Sequence, residues 1–201
     1  MKNKFLLLTE DEKDALTELL NIAYGRATAV VADMLDAFAS LSIPNINLMT
    51  TLELIKTFED LKNSSYFFST QSFNGEFNGE SAFFINETSA QNLAKHLEVE
   101  SKEDLDDAIL ELTNILTSSL TIKLAQEMDT EVSFSPPNIF KVPLEELEEL
   151  STFQLHSQVI VIDTELNFKE QKINGKIFIL TKDESILWLK KKLTAILNEL
   201  S

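Results

Sequence analysis

The sequence contains no cysteine, so it can form neither a disulfide framework nor a metal site built on thiolates. It has only four glycines, and none belongs to a glycine-rich loop that could cradle a phosphate. Its two histidines, His96 and His156, are isolated in the sequence, and Ser118 and Ser119 have no histidine or lysine placed to activate them. Disulfide scaffolds, P-loop enzymes and enzymes with an activated serine are therefore disfavoured.

Basic residues are also scarce, because 17 Lys and Arg stand against 33 Asp and Glu, which gives a net charge of −16. Nucleic acids and anionic membranes both attract concentrated positive charge, so neither is expected as a partner. No apolar run approaches the length of a transmembrane helix, and the apolar stretch near the N-terminus is too short for a signal peptide. We therefore expect a cytoplasmic protein. A chain of 201 residues that is 44% hydrophobic can form one domain with a proper core.

Two long amphipathic segments carry the same polar motif, Asp-x3-Glu-x2-Asn-x22-Pro. The first segment is predicted to form a helix from Glu10 to about Ala39, and its motif residues are Asp14, Glu18, Asn21 and Pro44. The second segment repeats the spacing without insertion or deletion, and its motif residues are Asp107, Glu111, Asn114 and Pro137. This repetition predicts one domain, residues 1–201, made of two repeats that span about residues 9–97 and 101–200.

The spacing of the motif places its polar residues together, because residues three and four apart lie on one face of a helix. Asparagine is a poor helix former in mid-helix, so its presence at the same place in both repeats favours a role over a merely solvated face. A carboxamide cannot abstract a proton, but it can orient a water by hydrogen bonds. The sequence offers no nucleophile beside it, so the rest of an active site would have to come from another molecule.

The duplicated motif resembles the signature of the CheC/CheX/FliY family of chemotaxis phosphatases, in which Asp or Ser precedes x3-Glu-x2-Asn-x22-Pro. Asn21-Ile22 followed by Gly25, and Phe73-Asn74-Gly75 leading to Ile85, also resemble segments of that family. Two motifs in a chain of this length resemble the two-site CheC form. CheX is shorter and keeps one motif, and FliY carries an added flagellar switch domain.

The resemblance implies a hydrolase that acts on the aspartyl-phosphate of a CheY-like response regulator, in chemotaxis or another two-component pathway. It implies that Asn21 and Asn114 hold a water in line with the phosphoryl group and that Glu18 and Glu111 pair with a lysine of the regulator. The regulator would carry Mg²⁺, and this chain would need no metal or cofactor of its own. The supporting motif residues are expected to orient the helix face or to be structural; they are Asp14, Asp107, Pro44 and Pro137.

Two alternatives remain open from the sequence. The first is a non-catalytic adaptor that binds a phosphorylated regulator or a CheD-like deamidase. The second is a structural domain in which the repeated motif merely packs two helices together. That structural hypothesis requires Glu18 and Asn21 to be buried, whereas a phosphatase requires them to be exposed.

The order of predicted elements is helix, strand, strand pair and helix, written twice. Thr9 and Glu12 are expected to form a capping box for the first helix, and Asn74-Gly75 to form the turn of the first strand pair. The other predicted elements are strands at residues 46–51, 66–73, 79–85, 131–135, 159–168 and 175–180, and helices at residues 89–97, 101–128 and 186–200. We expect a pseudo-symmetric α/β domain with one mixed or antiparallel sheet and the two motif helices side by side on an exposed face.

Overall fold

The computed structural model of the protein describes residues 8–42, 45–50, 53–54, 56, 66–142, 159–181 and 183–199. The helices in these ranges are α1 (Glu10–Met34), α2 (Glu87–His96), α3 (Lys102–Glu127) and α4 (Asp183–Glu199). The strands are β1 (Ser40–Leu41), β2 (Asn45–Met49), β3 (Tyr66–Gly75), β4 (Gly79–Asn86), β5 (Val132–Phe134), β6 (Asn138–Val142), β7 (Val159–Phe168) and β8 (Ile173–Thr181). Among these helices, none is long and apolar enough to cross a membrane.

The strands form one antiparallel sheet with the order β1-β7-β8-β4-β3-β5, in which β2 also pairs with β7 and β6 also pairs with β3. The sheet is built around two hairpins, β3-β4 and β7-β8, which are joined where β4 pairs with β8. The short strands that follow each motif helix pair with the hairpin of the other repeat. The two repeats are therefore interlocked through the sheet, and the predicted α/β fold class is confirmed.

The main core lies between the helices and one face of the sheet. Helices α1 and α3 pack against each other and contribute fully buried leucines at helical spacing, including Leu16 and Leu20 from α1 and Leu112 and Leu116 from α3. Burial of each such side chain contributes roughly 1.5–3 kcal/mol, so this interface is well suited to fix the two motif helices relative to each other. A smaller aromatic cluster, which includes Phe68, Phe84 and Phe178, covers part of the other face.

The two motif helices begin where the sequence predicts, but α1 ends early. The Glu12 carboxylate accepts a hydrogen bond from Thr9 N–H at 2.8 Å, and Thr9 Oγ1 accepts one from Glu12 N–H at 3.2 Å, so the capping box is confirmed. The prediction that α1 runs to about residue 39 is wrong, because Leu35 caps the helix and Asp36 takes a φ of 43°. That prediction rested on Pro44, which disfavours helical geometry only in the residue before it. Pro44 therefore gives the latest position at which α1 could end, and the helix ends earlier.

Two local signals in the first repeat were also misplaced. Asn74 and Gly75 belong to β3, and the chain turns at residues 76–78. Helix α2 is capped by Asn86, whose Oδ1 accepts a hydrogen bond from Ser89 N–H at 2.7 Å, so Ser89 lies inside the helix. Asparagine is as good an N-cap as serine, and here the N-cap is Asn86, the last residue of β4.

Glu12 provides a testable link between α1 and α4. Its carboxylate is 4% exposed and lies 3.1 Å from Lys190 Nζ and 3.1 Å from Thr194 Oγ1. Burial by itself raises the pKa of Glu12, but the hydrogen bonds from Thr9, Lys190 and Thr194 outweigh it and the net pKa is lowered. The charged carboxylate therefore stabilises the fold above its unfolded pKa, and this contribution is lost as the pH falls through the folded pKa.

We expect Glu12→Gln to lower the free energy of unfolding at pH 7 by about 1–3 kcal/mol, because the charge-assisted hydrogen bonds are weakened. The difference from the wild type should shrink as the pH falls below the ordinary glutamate pKa of 4.5. Urea unfolding at pH 7 and at lower pH measures both effects. Glu10→Gln, on an exposed carboxylate in the same helical turn, is the matched control and should change little. A pH-independent loss in Glu12→Gln would contradict the assignment.

Candidate functional site

The motif of the first repeat lies on the solvent side of α1. Asp14, Glu18 and Asn21 are all exposed, while the leucines between them point into the core. This arrangement follows from the spacing, because steps of four and three residues stay on one helical face. The exposure of Glu18 and Asn21 contradicts the structural hypothesis, which required both to be buried.

The motif of the second repeat has a similar position on α3, with one difference. Asp107 and Glu111 are exposed, whereas Asn114 is partly buried. A carboxylate and a carboxamide therefore stand one turn apart on each of two helices that pack together. This is the arrangement that the repeated spacing predicts.

Each asparagine lies at a groove beside its helix. The first groove is formed by Asn21, Tyr24, Gly25 and Thr28 of α1 and by the segment 39–42. The second groove is formed by Asp107, Leu110, Glu111 and Asn114 of α3, by Gln71 of β3 and by the segment 134–137. The motif proline Pro137 therefore lines the wall opposite Asn114, whereas Pro44 lies outside the described residues.

Gln71, which the sequence analysis did not single out, contacts the motif of the second repeat directly. Its side chain is 2% exposed, and its Nε2 donates hydrogen bonds to Asn114 Oδ1 at 2.9 Å and to the Ser135 carbonyl oxygen at 3.0 Å. A signal for it exists in the sequence, because alternation along β3 places residues 69, 71 and 73 on one face of the strand. A glutamine between Ser69 and Phe73 on a helix-covered face needs a polar partner.

A second polar contact ties α3 to β3 below Asn114. The Oγ of Ser69 lies 2.5 Å from Thr113 Oγ1, and Thr113 Oγ1 donates to the Ile109 carbonyl oxygen at 2.7 Å. Both side chains are fully buried. Buried hydrogen bonds of this kind specify one packing arrangement. They therefore fix the position of α3 along its axis and its rotation relative to β3, at the residue before Asn114.

Beside the first groove, different residues stand at the positions that correspond to Gln71 and Ser135. When the repeats are aligned by their motifs, Thr164 corresponds to Gln71 and Ser42 corresponds to Ser135. Thr164 Oγ1 donates to the Ser42 carbonyl oxygen at 2.8 Å, which reproduces one of the two hydrogen bonds of Gln71. Within the described part of the chain, the Asn21 side chain makes no hydrogen bond. The two grooves are thus related by the duplication but are not equivalent.

The other candidate ligands do not assemble into a metal site in the described ranges. No group of three or more His, Asp or Glu side chains that could hold a metal ion occurs there. His96 Nε2 lies 2.5 Å from the Leu35 carbonyl oxygen, so its ring connects α2 to the end of α1. His156 lies outside the described residues.

Comparisons with known proteins show what the chain is similar to. Residues 67–164 match the family model described as chemotaxis phosphatase CheX, and the fold is similar to that of Thermotoga maritima FliY. In both respects the chain is similar to proteins of the CheC/CheX/FliY family. The matched region contains the whole second motif, Gln71 and Ser135, whereas the first motif precedes it.

The similar solved structures extend over most of the chain. FliY from Thermotoga maritima has a TM-score of 0.76 at 16% identity, and the alignment covers 94% of this chain and 98% of FliY. The FliM of the H. pylori FliM–SpeE complex has a TM-score of 0.65 at 12% identity, with 94% and 97% covered. The CheX–CheY–BeF3–Mg²⁺ complex from Borrelia burgdorferi gives 0.55 at 12% identity, with 83% and 97% covered.

At these identities the structural comparisons show that the fold is shared. No curated protein matches the sequence. The particular likeness to the two-site CheC form stays a prediction.

Proposed function

We propose that the chain is a phosphatase that hydrolyses the aspartyl-phosphate of a CheY-like response regulator. The observation that carries this proposal is a glutamate and an asparagine one turn apart on each of two helices that pack together. Glu18, Asn21 and Glu111 are exposed and Asn114 is partly buried. The family model that matches the chain is that of a chemotaxis phosphatase. A CheX of the same fold is found in a complex with CheY, BeF3 and Mg²⁺.

The proposed mechanism asks little covalent chemistry of this chain. Phosphoryl transfer depends mainly on positioning and electrostatics, and the regulator supplies the acyl phosphate and Mg²⁺. The Asn21 and Asn114 carboxamides orient a water in line with the phosphorus atom, which converts a random encounter into a positioned attack. The leaving group is the aspartate carboxylate of the regulator, and the products are that carboxylate and inorganic phosphate.

The glutamates have a docking role in this proposal. Glu18 and Glu111 are exposed carboxylates one turn before each asparagine, which suits an ion pair with a lysine of the regulator. A chain with a net charge of −16 repels acidic surfaces at long range, so docking depends on such local pairs. Ile22 on α1 and Ile122 on α3 are 45% and 38% exposed and provide apolar contact area on the same helices.

The second candidate function is a non-catalytic adaptor that binds a phosphorylated regulator or a CheD-like deamidase. The FliM–SpeE complex favours the adaptor in general, because there a protein of this fold is bound to a different partner. It does not favour the deamidase in particular. The two candidates differ in turnover, since both predict binding to a regulator and only the phosphatase predicts release of phosphate by catalytic amounts of the chain.

The experiment that separates them measures phosphate release from a phosphorylated CheY-like regulator of the same organism with Mg²⁺. The chain is added at a small fraction of the regulator concentration. We expect at least about a tenfold acceleration over the regulator alone, with many turnovers per molecule. A folded chain that binds the phosphorylated regulators tested but accelerates none of them would overturn the phosphatase and leave the adaptor.

A further inference from the structure

The Gln71 carboxamide has its orientation fixed by the backbone. The Ser135 carbonyl oxygen can only accept hydrogen bonds, so the amide nitrogen of Gln71 must face it, as the distance of 3.0 Å shows. The second N–H of the same nitrogen then points to Asn114 Oδ1 at 2.9 Å. Rotating the Gln71 amide by half a turn would bring two oxygen atoms together at Ser135.

The orientation of Asn114 follows from that of Gln71. Because Asn114 Oδ1 accepts from Gln71, its Nδ2 group is turned away from Gln71, and in the described structure it makes no hydrogen bond to the chain. The carboxamide is therefore held at a defined rotation at the groove, with two N–H donors free for a water or a phosphoryl oxygen. Its rotational freedom is lost on folding and need not be lost again when the regulator docks.

The hydrogen bonds of Gln71 are made by its amide nitrogen. Its Oε1 is buried and has no hydrogen-bond partner among the residues that the structure describes. Leaving a buried acceptor unpaired costs free energy that a hydrophobic residue would not incur.

The first groove has no residue equivalent to Gln71 in this role. Thr164, at the position of Gln71, donates its single O–H to the Ser42 carbonyl oxygen at 2.8 Å and has no second donor for Asn21. Asn21 is exposed, and its carboxamide makes no hydrogen bond in the described ranges. Asn21 must therefore lose its rotational freedom when it engages a substrate.

We propose that Gln71 is a positioning residue that fixes the Asn114 carboxamide and makes the second groove the more active of two sites. The activity part of this inference rests on the proposed phosphatase function, whereas the fixed Asn114 does not. The two parts can be tested separately.

The first test measures the order of the side-chain amides by ¹⁵N relaxation. We expect the Asn114 Nδ2 group of the wild type to be ordered, with an order parameter of about 0.8. The order parameter of the Asn21 Nδ2 group is expected to lie below about 0.6. Gln71→Met keeps a similar volume without donors and should lower the Asn114 value. Thr164→Val, the matched change beside the first groove, should not lower it. Equal order for Asn114 and Asn21 in the wild type would overturn the proposal without any variant.

The second test measures phosphate release with one site at a time. In an Asn21→Ala background, Gln71→Met is expected to lower kcat about five- to tenfold with KM nearly unchanged, because positioning and not docking is affected. In an Asn114→Ala background the same change should have no effect. An unchanged kcat in the first background would overturn the activity part. If the wild type releases no phosphate from any regulator, the proposed function fails, and the relaxation data still decide whether Gln71 orders Asn114.

Discussion

Replacing both Asn21 and Asn114 with alanine is expected to reduce phosphate release to the rate of the regulator alone. Each carboxamide is proposed to orient the attacking water, and removing a positioned hydrogen-bonding group at a reaction centre costs roughly a hundredfold in rate. Among the single changes, Asn114→Ala should lose most of the activity, because Asn114 is fixed by Gln71 and Asn21 is not. The measurement is the initial rate of phosphate release from the phosphorylated regulator with Mg²⁺.

The control for this experiment is the pair of glutamates one turn away. Glu18→Gln with Glu111→Gln is expected to raise KM and leave kcat closer to the wild type, because these side chains are proposed to dock and not to orient water. Alanine is a better helix former than asparagine, but Asn114→Ala also removes an acceptor from the buried Gln71, so urea unfolding of each variant is measured beside its rate. A double asparagine variant that retains wild-type kcat would show that the catalytic groups lie elsewhere.

Much of this candidate site could be predicted from the sequence. The duplicated spacing placed Glu18 with Asn21 and Glu111 with Asn114 on one face of each helix, because helical periodicity alone determines which residues share a face. Gln71 was missed because its role depends on the distance between β3 and α3, which are far apart in the chain. The difference between Gln71 and Thr164 became apparent only from the structure, in which Gln71 contacts Asn114 and Thr164 contacts Ser42 beside the first groove.

The fold was also predicted only in part, with the long elements found and some short strands missed. The hairpin strands and the motif helices were found because they are long and strongly patterned. β1 and β6 were missed, since two and five residues carry little periodicity and each strand pairs with the hairpin of the other repeat. The end of α1 was misplaced because Asp36, and no glycine or proline, leads the chain out of the helix. Local sequence signals thus predicted most of the helices and strands, whereas contacts between the repeats determined how the strands pair.

Those contacts between the repeats are strongest in the middle of the sheet, and Gly79→Ala is expected to disrupt them. A Cβ atom at Gly79 would lie 2.1 Å from the Leu180 carbonyl oxygen and 2.8 Å from Phe73 Cζ. The oxygen belongs to the backbone of β8, where β4 and β8 join the two hairpins, so it cannot move without breaking the ladder. We expect the free energy of unfolding to fall by about 2–4 kcal/mol, at the upper end of the cost of overpacking.

Gly25→Ala is the matched control for Gly79→Ala, and urea titration measures both. Gly25 lies within α1, and a Cβ there would meet no atom within 4 Å. Alanine at an open helical position is expected to raise the free energy of unfolding by about 0.5–1 kcal/mol, because the unfolded chain loses flexibility. Opposite signs for the two changes would show that close packing across β4 and β8 limits residue 79. A Gly79→Ala variant as stable as the wild type would mean that β4 and β8 move apart locally at residue 79 without cost, so that the close approach there does not limit the residue.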